Sequence, residues 1–321
     1  MRKKISKILV TGGAGFIGSE FVRQAASQGR KVFVIDKLTY AGDLGRLRPV
    51  RGRYKFYRAD ICDRKQVDAV FRQVRPEAVA HFAAETHVDR SIVEPASFIR
   101  TNFEGTQVLM EACRKQRVKR FLHFSTDEVY GEIKIGRFSE GDRLRPSSPY
   151  AASKAAADLL VQAYFRTYGF PGVIARPCNN YGPWQYPEKL IPLAITRALR
   201  NQKVPVFLKG QHLREWLYVS DCAEAALELL DYGKLGEAYN VGSGQHKTNI
   251  NVVKAILDLL AKPYTLIAFV RDRPGHDFRY ALDAGKLTKE LGWRAKTKFS
   301  EGLRATVCWY VNYCGKKKQH I

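Results

Sequence analysis

The stretch Val10 to Gly18, "VTGGAGFIG", constrains the fold of this chain more than any other part of it. Its glycines satisfy two overlapping spacings, Gly13-x-Gly15-x-x-Gly18 and Gly12-x-x-Gly15-x-x-Gly18. A short apolar run, "KILVT", leads into them, and a helical pattern, "FIGSEFVRQAASQG", follows. Glycines between a strand and a helix let the backbone approach a pyrophosphate, which unpaired N–H groups at the helix N-terminus can bind. The stretch predicts a dinucleotide site.

Asp36 ends the next β-rich run, "KVFVID", where a dinucleotide-binding chain needs an acid. Its carboxylate is expected to hydrogen-bond the adenosine ribose hydroxyls and to repel a 2′-phosphate. The sequence therefore predicts NAD rather than NADP as cofactor. Two nearby bases, Arg30 and Lys37, are the residues that could reverse this preference.

The first half of the chain alternates short β-rich runs with longer helical patterns, which predicts an α/β fold with a Rossmann-type, doubly wound parallel sheet. A helix is predicted over 97–116, and a strand over 120–126. After about Pro177 prolines become frequent and the alternation is lost. We expect an NAD-binding domain over 1–178 and a smaller C-terminal α/β substrate-binding lobe over 179–321, with some later segments threading back to the first domain.

Composition excludes several classes of protein. The 321 residues are 45% hydrophobic and 26% charged, as in a globular protein. The chain has no apolar run of the roughly 18 residues that a membrane span needs, and no signal-peptide core, so we expect a cytoplasmic protein without a membrane partner. Its six cysteines form no CxxC pair, which predicts reduced thiols and no metal site.

The net charge of +23 raises the hypothesis of nucleic-acid binding, because Lys and Arg neutralise phosphates. The basic residues are spread along the chain, however, with only short clusters at "MRKK" and "GKKKQH". A generally basic surface that attracts anionic substrates is the favoured interpretation, and no nucleic-acid partner is expected.

Two stretches carry residues suited to catalysis. "PYAASK" places Tyr150 and Lys154 four residues apart, on one helix face. A tyrosine titrates near ~10, so a base near neutral pH needs a shift of roughly three units, which a neighbouring ammonium and a positive nicotinamide could supply. "FSTDEVYG" places a hydroxyl and two carboxylates side by side at Thr126, Asp127 and Glu128.

With these motifs the chain resembles the extended short-chain dehydrogenase/reductase family over essentially its whole length. Within that family the adjacent Thr, Asp and Glu are similar to those of the nucleotide-sugar 4,6-dehydratases. Further matching segments are "DKLTYAGDL", "AAETHVDRSI", "NNYGPWQYPEKLIP", "REWLYVSD" and "DRPGHDFRY".

The resemblance implies an NAD-dependent lyase acting on a nucleoside-diphosphate sugar, with dTDP-glucose the first choice. In the implied reaction Tyr150 removes the proton of the 4-hydroxyl during C4 oxidation, and Thr126 hydrogen-bonds the C4 oxygen. Glu128 is then the base at C5 and Asp127 the acid at the C6 hydroxyl, before hydride returns to C6. Alternatives are a 4,6-dehydratase on a UDP-, CDP- or GDP-hexose, a C4 epimerase or decarboxylase, and a non-catalytic scaffold.

This chemistry sets two structural expectations. Neighbouring residues on a strand point to opposite faces, so the strand must end or bend at Thr126 for both acids to reach one sugar. Asp127 must also stay protonated near neutral pH, which a like charge at Glu128 in a desolvated pocket would favour by raising its pKa.

The resemblance also assigns binding residues. For the cofactor they are Gly12, Gly15, Phe16, Ile17, Gly18, Asp36, Lys37, Leu38, Thr39, Asp60, Ile61, Ala83, Ala84, Thr101, Tyr150, Lys154 and Asn180. For the substrate they are His87, Thr126, Asn179, Lys189, Leu190, Pro205, Val206, Phe207, Arg214, Asn249, Arg273, His276 and Tyr280.

The chain departs from the family pattern at Thr86, Cys222 and Phe278, and in the "RPC" before Asn179. These departures leave the nucleobase and the hexose open. Relatives pair the helix from Tyr150 with the helix over 101–113 across a two-fold axis, so a homodimer is expected. Packing of that alanine-rich helix on its own sheet would explain its small residues equally well.

Overall fold

The computed structural model describes residues 4–318, and the ends of both basic clusters, residues 1–3 and 319–321, lie outside it. The strands are β1 (Lys7–Thr11), β2 (Lys31–Asp36), β3 (Tyr54–Arg58), β4 (Ala78–His81), β5 (Arg120–Phe124), β6 (Gly172–Pro177), β7 (Asn179–Tyr181), β8 (Val204–Phe207), β9 (Leu213–Tyr218), β10 (Ala238–Val241), β11 (His246–Thr248) and β12 (Ile267–Val270).

The α-helices are α1 (Phe16–Ser27), α2 (Arg64–Val74), α3 (Val88–Val93), α4 (Pro95–Phe98), α5 (Gly105–Lys115), α6 (Pro149–Tyr168), α7 (Leu190–Leu199), α8 (Val219–Tyr232), α9 (Asn249–Leu259), α10 (Gly285–Leu291) and α11 (Phe299–Lys318). Within the described residues, none of these helices has the length and apolar character needed to cross a membrane.

Seven parallel strands form the main sheet, in the order β10-β6-β5-β4-β1-β2-β3. The chain winds outward from β1 in both directions, so the strand order reverses between β1 and β4. The predicted doubly wound sheet is confirmed. Ligands of such sheets bind at the carboxyl ends of the strands beside this reversal, where the two connections diverge and leave a crevice.

Alternate residues of the buried strands serve two different cores. Ile8 and Val10 of β1 join a cluster with α1 and α8, whereas Leu9 between them joins a cluster with α2 and α5. Both faces of the sheet are therefore covered by helices, as parallel sheets require. The continuous apolar runs of the sequence follow from this burial on both sides.

The second half of the chain builds a smaller lobe around a third core. Two small sheets, β11-β9-β7 and β12-β8, pack with α7, α9 and α11. However, β10 pairs with β6 in the main sheet, and α8 packs on α1. We propose the division near residue 178 on this basis, with 219–241 as the segment that returns to the first domain.

The helix predicted over 97–116 is not a single regular α-helix. A π-helical segment, Ile99–Glu104, separates α4 from α5. Asn102 is buried there, and its amide accepts from the backbone N of Glu85 (2.9 Å) and donates to Ser153 Oγ (2.9 Å) on α6. Such segments are frequent at functional sites, and this one brings Thr101 to the wall of the cavity described next.

Candidate active site

A cavity of about 300 Å³ opens at the carboxyl edge of the main sheet, beside the reversal between β1 and β4. Its walls come from the glycine turn, from the loops after β2, β4 and β5, from α6, and from the loop between β7 and α7. The cavity therefore joins the two lobes, at the place where a doubly wound sheet binds its ligand.

Two glycines of the turn have no possible substitute. Gly12 has φ +67°, and a Cβ there would lie 2.5 Å from the backbone N of Ala83. A Cβ on Gly18 would collide with the carbonyl oxygen of Gly12. Gly13, in contrast, would place a Cβ against Val34 in the core. Of the two spacings in the sequence, the one starting at Gly12 is therefore the one that faces the cavity.

Asp36 lies at the end of β2 and is held by backbone donors. Its carboxylate accepts from the N of Ala14 (2.9 Å) and the N of Leu38 (2.8 Å), while burial raises its pKa. Leu38, alone among the predicted cofactor residues, is absent from the cavity wall. Its contribution is the N–H that orients Asp36.

The two bases that could have favoured NADP are both engaged elsewhere. Lys37 Nζ lies 2.8 Å from Asp60, and Arg30 forms a buried ion pair with Asp231 at 2.7 Å. Neither is left to neutralise a 2′-phosphate, so the protein groups at this end of the cavity fit NAD.

Several residues of the cavity wall were not predicted from the sequence. They include Arg46, Ser125, Cys178, Gln185, Tyr186 and Glu188. The other predicted cofactor residues do line the wall: Gly12, Gly15, Phe16, Ile17, Gly18, Asp36, Lys37, Thr39, Asp60, Ile61, Ala83, Ala84, Thr101, Tyr150, Lys154 and Asn180. Some of the residues that were not predicted carried a signal, because they lie in segments that match the family: Ala41, Gly42, Glu85, Thr86, Gln185, Tyr186 and Glu188.

Tyr150 and Lys154 enter the cavity from the first turns of α6. Ser148 caps this helix by accepting from the N of Ala151 (3.1 Å), and Pro149 occupies its first turn. Lys154 is buried and donates to the carbonyl oxygen of Phe124 (2.7 Å) at the end of β5. Burial lowers the pKa of Lys154 to about 8.

The expected depression of the Tyr150 pKa is not produced by the protein groups. Burial raises that pKa, and the charge of Glu128 raises it further, whereas a hydrogen bond with Thr126 opposes the rise. Lys154 donates to the carbonyl oxygen of Phe124, and the rise caused by burial remains. A phenolate at Tyr150 therefore depends on positive charge brought by the bound nicotinamide.

The expectation that the strand ends before the two acids is confirmed. β5 stops at Phe124, and Thr126 caps a 3-10 turn, Asp127–Tyr130, with its hydroxyl accepting from the N of Glu128 (3.3 Å). Because the backbone turns here, both acids can reach the same cavity, and both line its wall.

Asp127 is buried near two other carboxylates, and Arg214 is the cation that acts on it. Burial raises its pKa well above the usual range, and the charges of Glu128 and Glu215 add to this effect. Burial thus exceeds the influence of Glu128 that the sequence suggested, and Glu215 on β9 is a contribution that the sequence did not predict. The oxygen Oδ2 of Asp127 has no hydrogen-bond partner among the described residues.

Glu128 has more cationic surroundings than Asp127. Burial raises its pKa, but three cations, Lys189, Arg273 and Arg214, oppose the rise. The adjacent carboxyls therefore differ: Asp127 favours the protonated form and Glu128 favours the carboxylate more than its neighbour does. Two titratable groups with such opposed environments are suited to act as acid and base.

Three predicted substrate residues, Thr126, Asn179 and Lys189, line the same cavity, and Leu190 begins α7 directly after them. Lys189 Nζ donates to the carbonyl oxygen of Thr86 (3.1 Å). His87 lies 3.6 Å from Glu188, and Arg273 contacts Asp89 at 2.5 Å. These contacts connect the loop after β4 to two segments of the smaller lobe, one around residues 188–189 and one around residue 273.

The remaining predicted substrate residues form a second group in the smaller lobe. Arg214 lies over the ring of Tyr280 (4.5 Å) and donates to the carbonyl oxygen of Asp277 (2.7 Å). His276 stacks on His212 at 3.7 Å and meets Phe207 edge-on at 5.9 Å.

The segment Pro205–Phe207 belongs to β8, where Val206 is buried in the lobe core. Asn249 begins α9, and its buried Oδ1 has no hydrogen-bond partner among residues 4–318. Burial and the nearby Arg273 lower the pKa of His276 to about 4, so its ring is neutral.

His212, Asp272 and His276 bring three possible metal-ligand atoms within 4.8 Å of one another. Two arginines beside them make this a setting for anions rather than for a cation.

Comparison with known proteins agrees with this geometry. The sequence profile of the GDP-mannose 4,6 dehydratase family matches residues 9–306. A dTDP-glucose 4,6-dehydratase of Streptomyces niveus is 50% identical, over 95% of this chain and 92% of that protein. A dTDP-glucose 4,6-dehydratase of Escherichia coli K12 is 48% identical, over 95% of this chain and 93% of that one.

Solved structures of related enzymes superpose closely on this chain. DesIV, a dTDP-glucose 4,6-dehydratase from Streptomyces venezuelae solved with NAD and dTDP, superposes with a TM-score of 0.93 at 45% identity, over 96% of this chain and 98% of that chain. The UDP-glucose 4-epimerase of Thermus thermophilus, solved with NAD, gives a TM-score of 0.89 at 35% identity, over 95% and 98%. The chain therefore belongs to the nucleotide-sugar 4,6-dehydratase family, within the extended short-chain dehydrogenases/reductases.

Proposed function

We infer that this chain is an NAD-dependent dTDP-glucose 4,6-dehydratase, a lyase that converts dTDP-glucose to dTDP-4-keto-6-deoxyglucose and water. The observation that carries the proposal is the pair Asp127 and Glu128, two adjacent carboxyls with opposed electrostatic surroundings beside Tyr150. The curated relatives of that name, at about half identity over nearly the whole chain, support it.

The first step is oxidation at C4. Bound NAD supplies the hydride acceptor here and the hydride donor at the end. We propose that Tyr150 takes the proton of the 4-hydroxyl, and that Thr126, which hydrogen-bonds Tyr150, also holds the C4 oxygen. Lys154 donates to the carbonyl oxygen of Phe124, and its protonated form places a positive charge in the cavity wall.

The second step is loss of water across C5 and C6. A C4 ketone acidifies the hydrogen on C5, and we propose that the carboxylate of Glu128, which Lys189 and Arg273 favour against burial, removes it. Asp127, kept protonated by burial and by Glu215, gives its proton to the departing C6 hydroxyl. When hydride reaches C6, Glu128 returns its proton to C5, and exchange with solvent removes the proton from Tyr150 and restores that of Asp127. Each positioned proton transfer is worth about 10² to 10⁴ in rate.

We propose that the second group of residues binds the nucleoside diphosphate. Arg214 and Arg273 supply the positive charge that two phosphates need, since guanidinium groups suit bidentate contacts with phosphate oxygens. Asn249 has a buried Oδ1 without a hydrogen-bond partner in the described part of the chain, and this oxygen can accept from the ligand. Phe207 and His276, whose rings meet edge-on, supply the aromatic surface of this group.

We also propose a homodimer through the outer face of α6. The small residues of this helix divide between two roles, since Ala151, Ala155 and Ala157 are buried internally. The outer face exposes Leu159 (55%) together with Ala152 and Ala163, apolar surface that a second copy would cover. Light scattering of the purified protein tests this, and a monomer at micromolar concentration would refute it. The cytoplasmic location stays a prediction.

The function is tested by offering glucose linked to dTDP, UDP, CDP and GDP in parallel and identifying each product by mass and NMR. We expect the 4-keto-6-deoxy product, with dTDP-glucose converted fastest. A 4-keto-6-deoxy product only from another nucleotide would retain the chemistry and correct the substrate. A C4-epimerised sugar with its 6-hydroxyl intact, or no conversion of any of the four, would refute the proposal.

A further inference from the structure

Arg46 is a buried cation in the cavity wall that the proposed chemistry does not use. It lies in the 3-10 segment Leu44–Val50 and is only 4% exposed. Within residues 4–318 its hydrogen bonds go to backbone carbonyl oxygens and none goes to a carboxylate. Burying a charge without an ion-pair partner is costly, so its position calls for a role.

Those carbonyls belong to three different segments around the cavity. Nη1 donates to Ala14 in the glycine turn (2.7 Å) and to Ala41 in the loop after β2 (2.5 Å), while Nε donates to Trp184 after β7 (3.1 Å). The first two segments belong to the dinucleotide end, and Trp184 belongs to the smaller lobe. One side chain therefore ties three walls together across the domain boundary.

The Trp184 segment is in turn held by the C-terminal helix. The Trp184 ring lies 4.7 Å from that of Trp309 and 5.5 Å from that of Tyr313, both on α11. Tyr310 of the same helix donates to the carbonyl oxygen of Gln185, a cavity-wall residue. Trp184 itself has φ +71°, a left-handed conformation that a bulky residue adopts only when its surroundings enforce it.

We propose that Arg46, the Trp184–Gln185 turn and its contacts on α11 form a latch that holds the dinucleotide in the cavity throughout the catalytic cycle. The inference rests on the proposed function, because a reaction that returns hydride to the same sugar fails if the reduced cofactor leaves midway. Arg46 is a positioning residue in this latch: it joins the walls, and α11 keeps the far wall in place.

The variants are chosen to open the latch at two independent places. Arg46→Gln removes the charge and shortens the reach, and Arg46→Lys restores the charge without the planar fork. Tyr310→Phe removes one hydroxyl at the other end of the latch. The matched control is Arg48→Gln, since Arg48 lies in the same 3-10 segment but is exposed.

Two measurements are made on each purified variant. The first is the dissociation rate of NAD, measured without any sugar. The second is the escape of reduced cofactor during turnover, detected by its oxidation by lactate dehydrogenase and pyruvate in the surrounding solution. We expect NAD to dissociate about tenfold faster or more from Arg46→Gln, a change of about 1.4 kcal/mol. Arg46→Lys should recover part of the loss, and Arg48→Gln should match the parent.

Tyr310→Phe should also release NAD faster. The double variant with Arg46→Gln should raise the free energy of NAD release by less than the sum of the two single effects, because both residues act on one element. Unchanged NAD dissociation in either folded single variant would overturn the latch, as would equal effects of Arg46→Gln and Arg48→Gln. The dissociation assay contains no sugar. A protein that holds NAD through Arg46 but converts no nucleotide-sugar would therefore refute the function and leave the latch intact.

Discussion

Replacing Glu128 by Gln tests the division of labour between the two adjacent acids. The substitution keeps the size and the hydrogen-bonding shape of the side chain, but an amide cannot accept a proton from carbon. Lys189 and Arg273, which face this position, stay in place to hold the substrate. Oxidation at C4 uses Tyr150 and Thr126, so it should survive, whereas elimination should slow by about 10² to 10⁴, equivalent to about 3–5 kcal/mol.

The assay is a single turnover with excess enzyme, followed by the absorbance of the reduced nicotinamide and by product analysis after rapid quenching. The parent protein should show a brief rise and fall of this absorbance, and Glu128→Gln a rise that persists while the 4-keto-6-deoxy product is delayed. Glu104→Gln, a change at an exposed acid on the far end of the π-helical segment, serves as the control.

Hydrogen exchange at C5 in heavy water separates the base from the acid. Asp127→Asn keeps the base, so solvent deuterium should still enter C5 while the product is delayed. Glu128→Gln should stop both exchange and elimination. Normal turnover in Glu128→Gln, or C5 exchange that continues in it at the parent rate, would refute the assignment of Glu128 as the C5 base.

Other outcomes follow from single contacts. Tyr150→Phe should abolish C4 oxidation itself, so the same single-turnover assay should show no reduced nicotinamide, and a normal rise would refute the role of Tyr150. Arg30→Met should destabilise the fold by about 3–5 kcal/mol in urea unfolding, because it removes the ion-pair partner of the buried Asp231. Adding Asp231→Leu should recover much of this loss. A loss under about 1 kcal/mol in Arg30→Met would contradict the stabilising role of the pair. Burial lowers the pKa of His123 to about 4 from its ordinary 6.5. Above pH 6.5 His123 is neutral in both the folded and the unfolded chain, so its titration does not reduce stability. Between pH 6.5 and about 4 the unfolded chain binds a proton that the buried ring does not, so the free energy of unfolding should fall by up to about 1.4 kcal/mol per pH unit. His123→Gln should flatten this part of the stability–pH curve, and an unchanged slope would contradict the reasoning.

The sequence was sufficient where function depends on short, fixed spacings. The glycines from Gly12 to Gly18, the acid at Asp36, and the pair Tyr150 and Lys154 act through geometry set within one turn of chain. The break before Asp127 could likewise be predicted, because two neighbours on a strand cannot face one ligand. The alternation of strands and helices predicted a doubly wound parallel sheet, which the structure confirms, whereas the order of its strands came only from the structure.

The tertiary structure decided the properties that depend on residues far apart in the chain. Asp127 and Glu128 are adjacent and chemically alike, yet Glu215 from β9 lies near one while Lys189 and Arg273 from the smaller lobe act on the other. No local pattern contains that difference, because the local field is a sum over neighbours in space. The rise that burial and the charge of Glu128 cause in the pKa of Tyr150 has the same origin, because both depend on neighbours in space.

Arg46 shows the same limit for structure rather than charge. In the sequence it is one of many basic residues in a strongly basic chain, and nothing distinguishes it from the exposed Arg48. Its role depends on carbonyl groups of Ala14, Ala41 and Trp184, and backbone carbonyls carry no sequence signal at all. The sequence by itself determined which reactive groups the protein has and that they share one edge of a sheet. Only the folded chain decided which of them are charged and what holds the cavity around them closed, because desolvation and backbone contacts exist only once distant segments have packed.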